Sequence, residues 1–563
     1  MYEIKKLLMT GMMACLCLLK PVGVFAQSGI SGNPVPQSGV TFKTTDLKLQ
    51  KLYDEAEKKA RWNIVKNFGK YQVLVEGAEY KNVWLETQPM GGYMYGKRNL
   101  EIARNNILIF TDFQREDGRL PGMLSWKNNQ IIAHYGWFQG YCFPMPAFEL
   151  YYWLGKDRDY LEKLYTSLEK FDGYLWRTRD SDNNGCLETW CVWDTGEDNC
   201  TRLGSSPHAW TLDLAPTEEQ IKRMTIEELK ACCQKTDFDF SNFPVPIESM
   251  DIMSYAYSGR DVLARISKEL GNGKEEYWRE KANEVRSKIK GYLWNEEKHA
   301  CYDRDKNNQT MDILIHNNLR CMYYGSFDQH MADDFIRYHL LNPNEFWTPM
   351  PLPSIAVNDP AFRNISGNNW SGQPEGLTFQ RSIRALENYG HFAELTLIGQ
   401  RFLKSVADSL KFTQQFDPFT AAITKNMDGY GPTILTSLEF ISRLYGIHLT
   451  EDKVYWSCLD KDHDFEYIQQ LGDQIFTLKT DKDRVFCSVN GREVCSFTKG
   501  TRIITDRNGK LFQLAGIEPN EKNVTVEYHG EKYHVVAEPN TLYDFHKRFK
   551  KAQSVDFSVP ADL

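Results

Sequence analysis

Between Trp193 and Arg202, in the stretch WCVWDTGEDNCTR (residues 190–202), stand three acids: Asp194, Glu197 and Asp198. Like charges this close raise the cost of ionising all of them. A surface helix tolerates such a run but has no use for Trp190 and Trp193 beside it. Crowding against an apolar wall keeps one carboxyl protonated near neutral pH, and that is what a general acid needs. Any of the three acids could fill that role, and a structural ion-pair network closed by Arg202 is the alternative.

Just upstream, Asp180-x-Asp182-x-Asn184-Gly185 alternates oxygen donors and ends in a turn glycine, as the start of a calcium loop does. No Glu follows twelve residues on, so an EF-hand is excluded, and a capped Asx-rich turn is the competing reading. Other chemistries find no motif: there is no G-x-S-x-G elbow, Walker loop, H-E-x-x-H, or G-x-G-x-x-G after a strand. His134 and His391 stand alone and read as structural.

Helices must position these residues. Apolar stripes at helical spacing run through Leu49, Leu52, Tyr53, Ala56 and Ala60; Leu161, Leu164, Tyr165 and Leu168; Val262, Leu263, Ile266 and Leu270; and Ile434, Leu438, Ile441 and Leu444. Gly155, Gly271, Gly390 and Gly446 follow such stripes, where a left-handed cap is wanted. Repeated helical hairpins predict a mainly α toroid over residues 41–448, with the long aromatic loops 179–250, 340–376 and 413–430 gathered at one end. From about residue 449 to 563 apolar and polar residues alternate between Asn490-Gly491, Asn508-Gly509 and His529-Gly530, which predicts a small antiparallel β domain.

Composition narrows the partners. Aromatic residues make up 13% of 563, and the net charge of −8 with no basic run excludes nucleic acid as the main partner. Residues 1–26 carry Lys5 and Lys6, an apolar run and Val24-Phe25-Ala26, which predicts a signal peptide and export across the inner membrane to the periplasm or cell surface. Residues 27–40 read as a Gly/Pro/Ser tether, and no later stretch is apolar enough to span a membrane. Of the 13 cysteines, Cys15 and Cys17 fall in the signal, and the scattered remainder read as small buried residues.

The segment RDSDNNGCLETWCVWDTGEDNCTR resembles the acid loop of the six-hairpin glycosidases related to glycoside hydrolase family 63 and the family 37 trehalases. FWTPMPLPSIAVND, NNWSG and GYLWNEEKHACYDRD resemble later loops of the same enzymes. The resemblance covers roughly residues 80–448 and implies an (α/α)6 toroid with Asp198 as general acid. It also implies sugar contacts from Trp137, Trp190, Trp193, Asp194, Glu197, Arg202 and Trp370, and a structural calcium held by Asp180, Asp182, Asn184 and a distant Glu248. The chemistry itself needs no cofactor.

Three positions depart from the family. The glutamate that activates water falls on Gln414 of TQQFDPFT, and an amide cannot take a proton from water. An aspartate that holds the sugar falls on Gln139 of GWFQG, and an arginine falls on Ser371. If the base has moved, Glu375 and Asp417 are the nearest acids; Glu387 and Glu394 apply if the alignment is shifted. The expected activity is an exported, exo-acting, inverting glycoside hydrolase on an oligosaccharide or polysaccharide-derived glycan. A glycan-binding protein with a decayed site, or a polysaccharide lyase using a Tyr or His base, are the alternatives.

Overall fold

Helices of two kinds alternate along the chain. In this computed structural model, residues 34–204, 206, 209–210, 228, 233–234, 245–425, 427–459 and 462–560 are described. The expected signal peptide and residues 27–33 of the expected tether lie outside them. Twelve α-helices occur among the described residues: α1 (Leu47–Trp62), α2 (Gln88–Tyr95), α3 (Leu100–Asp112), α4 (Pro144–Trp153), α5 (Arg158–Thr178), α6 (Met250–Leu270), α7 (Glu275–Lys288), α8 (Asn317–Tyr324), α9 (Gln329–Phe335), α10 (Gly376–Glu387), α11 (Phe392–Ser409) and α12 (Gly431–Tyr445). The odd-numbered helices are mostly amphipathic, as α1 shows with Leu49, Leu52, Tyr53, Ala56 and Ala60 buried on one stripe. The even-numbered ones are buried nearly all round; α2, α8 and α12 expose no residue.

Burial on every side follows from position. Helix α2 packs on α4, α4 on α6, α6 on α8, α8 on α10, α10 on α12, and α12 returns to α2. These six form an inner ring. Among the outer helices, α1 lies on α12, α3 on α2, α5 on α4, α7 on α6 and α11 on α10. The fold is the (α/α)6 toroid that the hairpin pattern predicted. Three of the expected glycine stops, Gly155, Gly271 and Gly390, take positive φ. Gly446 does not: its φ of −163° is extended backbone. It is glycine because a Cβ there would come 2.4 Å from the Tyr467 ring.

Two antiparallel sheets follow the toroid. The six-stranded one runs Ile447–Leu449, Lys453–Cys458, Thr501–Asp506, Leu511–Gly516, Thr541–Phe545, Phe549–Ser554. The seven-stranded one begins with Ser38–Thr44, which pairs with Phe465–Leu471. Residues 38–40 of the expected tether therefore lie in a strand, with Phe42 buried against Tyr53, Phe465 and Tyr467. Asn490-Gly491 and His529-Gly530 both take positive φ between paired strands, as two-residue hairpin turns require. Cys142, Cys186, Cys191, Cys200, Cys301, Cys321, Cys458, Cys487 and Cys495 are buried and unbridged.

Inner helices α10 and α12 are in close contact at Gly376, where a Cβ would stand 2.0 Å from Thr433 Oγ1. The Thr433 hydroxyl is held by the Thr413 carbonyl at 2.6 Å and cannot simply turn away. Gly376→Ala should therefore lower stability by about 1–3 kcal/mol, the usual cost of overpacking. Urea denaturation monitored by circular dichroism reads this, and an unchanged midpoint would contradict the packing described.

Candidate active site

All six inner helices begin where the long loops gather. Glu86 lies just before α2, Gln139 before α4, Glu248 before α6, His316 before α8, Glu375 before α10 and Tyr430 before α12. The loops between them line a cavity of about 60 Å³. Its walls include Glu76, Glu86 and Asp198, with Trp84, Trp193 and Trp370 beside them.

The three acids of the 190–202 loop have separate environments. The Asp194 carboxylate is fully buried and accepts the backbone N–H groups of Phe138 and Trp190, each at 2.9 Å. Its own carbonyl and that of Trp193 accept the N–H groups of Gly140 and Gln139. Asp194 thus ties the loop to residues 137–140. Glu197 accepts from Asn317 at 3.2 Å, faces His316 Nε2 at 2.9 Å and touches Arg202. Burial opposes its charge, but Arg202, Arg320 and His316 together hold its carboxyl well below the usual range. Arg202 also reaches Asp303, and Asp251 at 3.5 Å. Glu197 and Arg202 are thus members of a buried ion network, and they do not line the cavity.

Asp198 lies on the cavity wall. Burial pushes its carboxyl up to about 7, with the Glu86 charge adding to the effect and the Asn368 amide opposing it. Asn368 donates to Oδ2, while Oδ1 has no hydrogen-bond partner. The Asp198 carbonyl accepts the Trp370 N–H at 3.0 Å, which draws the 368–370 loop over the acid.

Asn368 links Asp198 to Gln414. Gln414 donates to Asn368 Oδ1 at 2.7 Å and accepts from the Tyr80 hydroxyl at 2.8 Å and from Lys425 at 3.2 Å. Both ends of the amide are used, so the site is built for a glutamine. Gln139, also on the wall, has an unpartnered Oε1 and a φ of +59°.

Neither expected replacement for the base reaches the cavity. Glu375 is fully buried at the start of α10, and both its oxygens lack a hydrogen-bond partner. Burial raises its carboxyl well above the usual range. Asp417 caps the turn after it, accepting from Phe419 and Thr420 N–H at 2.9 Å and from Asn364 at 2.8 Å, and these bonds keep it low. Of the two helical acids kept in reserve, Glu387 pairs with Arg443 and Arg502, and Glu394 with His391.

Two wall acids escaped the sequence reading. Burial and the Glu86 charge lift Glu76 to about 8. Glu86 is raised by burial but contacts Arg381 at 2.5 Å. Its carboxylate packs against the acid loop so closely that a Cβ on Gly196 would lie 2.4 Å from Oε2. In the sequence Glu86 looks like an ordinary acid ahead of a helix start, and nothing near it hints at residues 196 or 381. Of the expected sugar platforms, Trp193 and Trp370 line the cavity. Trp137 packs edge-on to Trp193 at 5.2 Å, and Trp190 is buried and donates to Glu188 at 3.1 Å.

In the expected calcium turn, Asp180 accepts the Gly185 N–H at 3.1 Å. The Asn184 amide lies 2.8 Å from Asp182 Oδ2 and contacts Glu248 Oε1, so three of the four expected donors converge. Lys288 donates to the Asn184 carbonyl at 2.8 Å, and Tyr292 donates to Glu248 at 2.8 Å.

Comparison with known proteins agrees with the fold. The family model of the mannosylglycerate hydrolase MGH1-like glycoside hydrolase domain matches residues 94–433. The GH63 mannosylglycerate hydrolase of Thermus thermophilus, solved with glucose, aligns with a TM-score of 0.54 at 18% identity, over 69% of this chain and 99% of that one. A sialidase aligns with a TM-score of 0.60 at 13% identity, over 84% of this chain and 43% of that one. The GH78 rhamnosidase of Bacillus sp. GL1 aligns at 0.53 and 12% identity, over 79% and 40%. At these identities the likeness is one of fold. No curated protein matches the chain.

The raised Asp198 carboxyl has a consequence for stability. Its folded value of about 7 exceeds its ordinary 3.8, so the unfolded chain releases this proton first as pH rises. Stability from this group is full below about pH 4 and is lost as pH climbs to 7. Asp198→Asn removes the titration. The variant should gain stability over wild type between pH 4 and 7, level off above that, and show little gain at pH 4. Thermal melts across this range check it, and a pH-independent difference would contradict it.

Proposed function

The chain belongs to the mannosylglycerate hydrolase MGH1-like glycoside hydrolase family, and from that membership we propose an exported, exo-acting, inverting enzyme that removes a terminal sugar from an oligosaccharide or polysaccharide-derived glycan. One observation carries the reading: Asp198 is a carboxyl with a value near 7 and an unpartnered oxygen on the wall of a small cavity flanked by tryptophans. The charged N-terminal stretch and its apolar run support export to the periplasm or cell surface.

In the proposed reaction Asp198 gives its proton to the leaving oxygen as the glycosidic bond breaks. A water attacks the anomeric carbon from the opposite face and surrenders its proton to an ionised carboxylate. Gln414 cannot accept that proton. Glu375 and Asp417 do not line the cavity. Of the wall carboxyls, burial and the Glu86 charge lift Glu76 to about 8, whereas the rise that burial causes at Glu86 is opposed by its contact with Arg381. We assign the base to Glu86. A lyase base is less well supported, since burial drives the wall tyrosines Tyr80 and Tyr430 upward and His316 down to about 4.

Calcium is part of the proposal. A half-turn of the Asn184 amide presents its oxygen to the point that Asp182 and Glu248 already face, giving three oxygen donors with Asp180 beside them. The ion would pin the acid loop's leading turn to the start of α6. Chelation by EDTA should lower the melting temperature, and added calcium should restore it. No change in melting or in elemental analysis would leave the turn as a turn.

Screening a glycan panel for released reducing sugar tests the activity. Asp198→Asn should cost about two to four orders of magnitude in rate, the usual worth of a general acid, and far less on substrates with activated leaving groups. Glu86→Gln should abolish turnover of both kinds, while Glu375→Gln should lose stability rather than chemistry. Binding without release from any glycan would favour a decayed site, and an unsaturated product absorbing in the ultraviolet would indicate a lyase. Wild-type turnover by Asp198→Asn would refute the assignment of the acid.

A further inference from the structure

Outside the cavity, a second group of donors converges on the turn 295–300 and α9. His330 and Asp334 sit four residues apart on α9, which places them on one helix face. Glu296 reaches them from the turn that joins Trp294–Asn295 to Ala300–Cys301. The ligand atoms of Glu296, His330 and Asp334 all lie within 4.8 Å of one another. His330 Nε2 is 2.8 Å from Glu296 Oε1 and 3.8 Å from Asp334 Oδ2. We propose that Glu296, His330 and Asp334 form a surface site for a divalent transition-metal ion of the zinc type.

The surroundings carry the features of a supported metal site. The Trp294 indole N–H donates to Glu296 Oε2 at 2.7 Å, which turns the other oxygen toward His330. A hydrogen-bonded outer partner of this kind fixes the direction of a ligating carboxylate. His299 Nδ1 lies 2.7 Å from Asp334 Oδ2, so a second imidazole stands beside the three donors. His299 is itself held by stacking on Tyr338, with ring centroids 3.8 Å apart. The nearby ammonium of Lys290 is paired with Asp328 at 2.6 Å.

Donor chemistry selects the ion. One or two imidazole nitrogens with two carboxylates suit zinc, while calcium and magnesium prefer all-oxygen sets. The ion would bridge the 295–300 turn to the outer helix α9. Both elements stand apart from the catalytic residues assigned above, so its effect would fall on local rigidity.

Zinc titration of metal-free full-length protein in saturating calcium tests the site by calorimetry, with cobalt absorption as a second probe. Calcium fills any oxygen-only site beforehand. One equivalent of zinc should bind, the melting temperature should rise, and cobalt should show the visible bands of a low-coordinate nitrogen–oxygen site. His330→Ala and Asp334→Asn should each abolish binding while their zinc-free melting and hydrolase activity stay close to wild type. Trp294→Phe should weaken binding by about tenfold without removing it. Absence of zinc binding by the wild type, or undiminished binding in both ligand variants, would overturn the proposal.

Discussion

Arg202 is buried among Glu197, Asp251 and Asp303, and much of the active end depends on that arrangement. A guanidinium taken out of water is tolerable only when carboxylates surround it, and removing one member leaves an unpaired buried charge. The network joins the acid loop to the first turn of α6 through Asp251 and to α8 through Asn317 and Arg320. It also separates two neighbours in sequence. Glu197 turns inward and stays ionised, while Asp198 turns to the cavity and keeps its proton. A single peptide step thus divides a charge inside an ion network from a raised carboxyl on the cavity wall.

The field at the cavity is a contest that burial wins. The inner helices point their N-termini at this end, and each favours negative charge by roughly 0.3–1 kcal/mol. Asp198 nevertheless rises from 3.8 to about 7, roughly 4 kcal/mol against its charged form. Desolvation is the largest cause, and the Glu86 carboxylate adds to it. Arg381 opposes the rise at Glu86 by direct contact but does not cancel it. Burial raises all three wall carboxyls, Glu76, Glu86 and Asp198, and Glu86 alone has a guanidinium in contact to oppose it.

The toroid and the hairpin turns were legible because both are local patterns. Apolar spacing marks a helix face within a few residues, and Asn490-Gly491 specifies its turn alone. The acid loop was legible through its crowding. What stayed hidden needed distant partners. Glu86 becomes notable only beside Arg381 and Gly196, and Glu76 only across the cavity from Asp198. Residues 38–40 read as the end of a tether because the strand that Ser38–Thr44 pairs with lies hundreds of residues downstream. The same distance explains why Glu375 looked like a base: its position near Trp370 in sequence says nothing about which side of the wall it occupies.

Where the first strand pairs has a consequence for how the molecule comes into being. Ser38–Thr44 completes a sheet whose other strands are among the last residues made, and α1 leans on α12. The opening segment of the chain therefore has no lasting home until the closing segment has emerged. Contacts of such long range form slowly, since the intervening loop must close before they repay it. The ring can be assembled piecewise but is locked only at the end. A prematurely truncated chain leaves Phe42 and the stripe of α1 without their cover, presenting an apolar surface by which an incomplete product could be recognised and cleared.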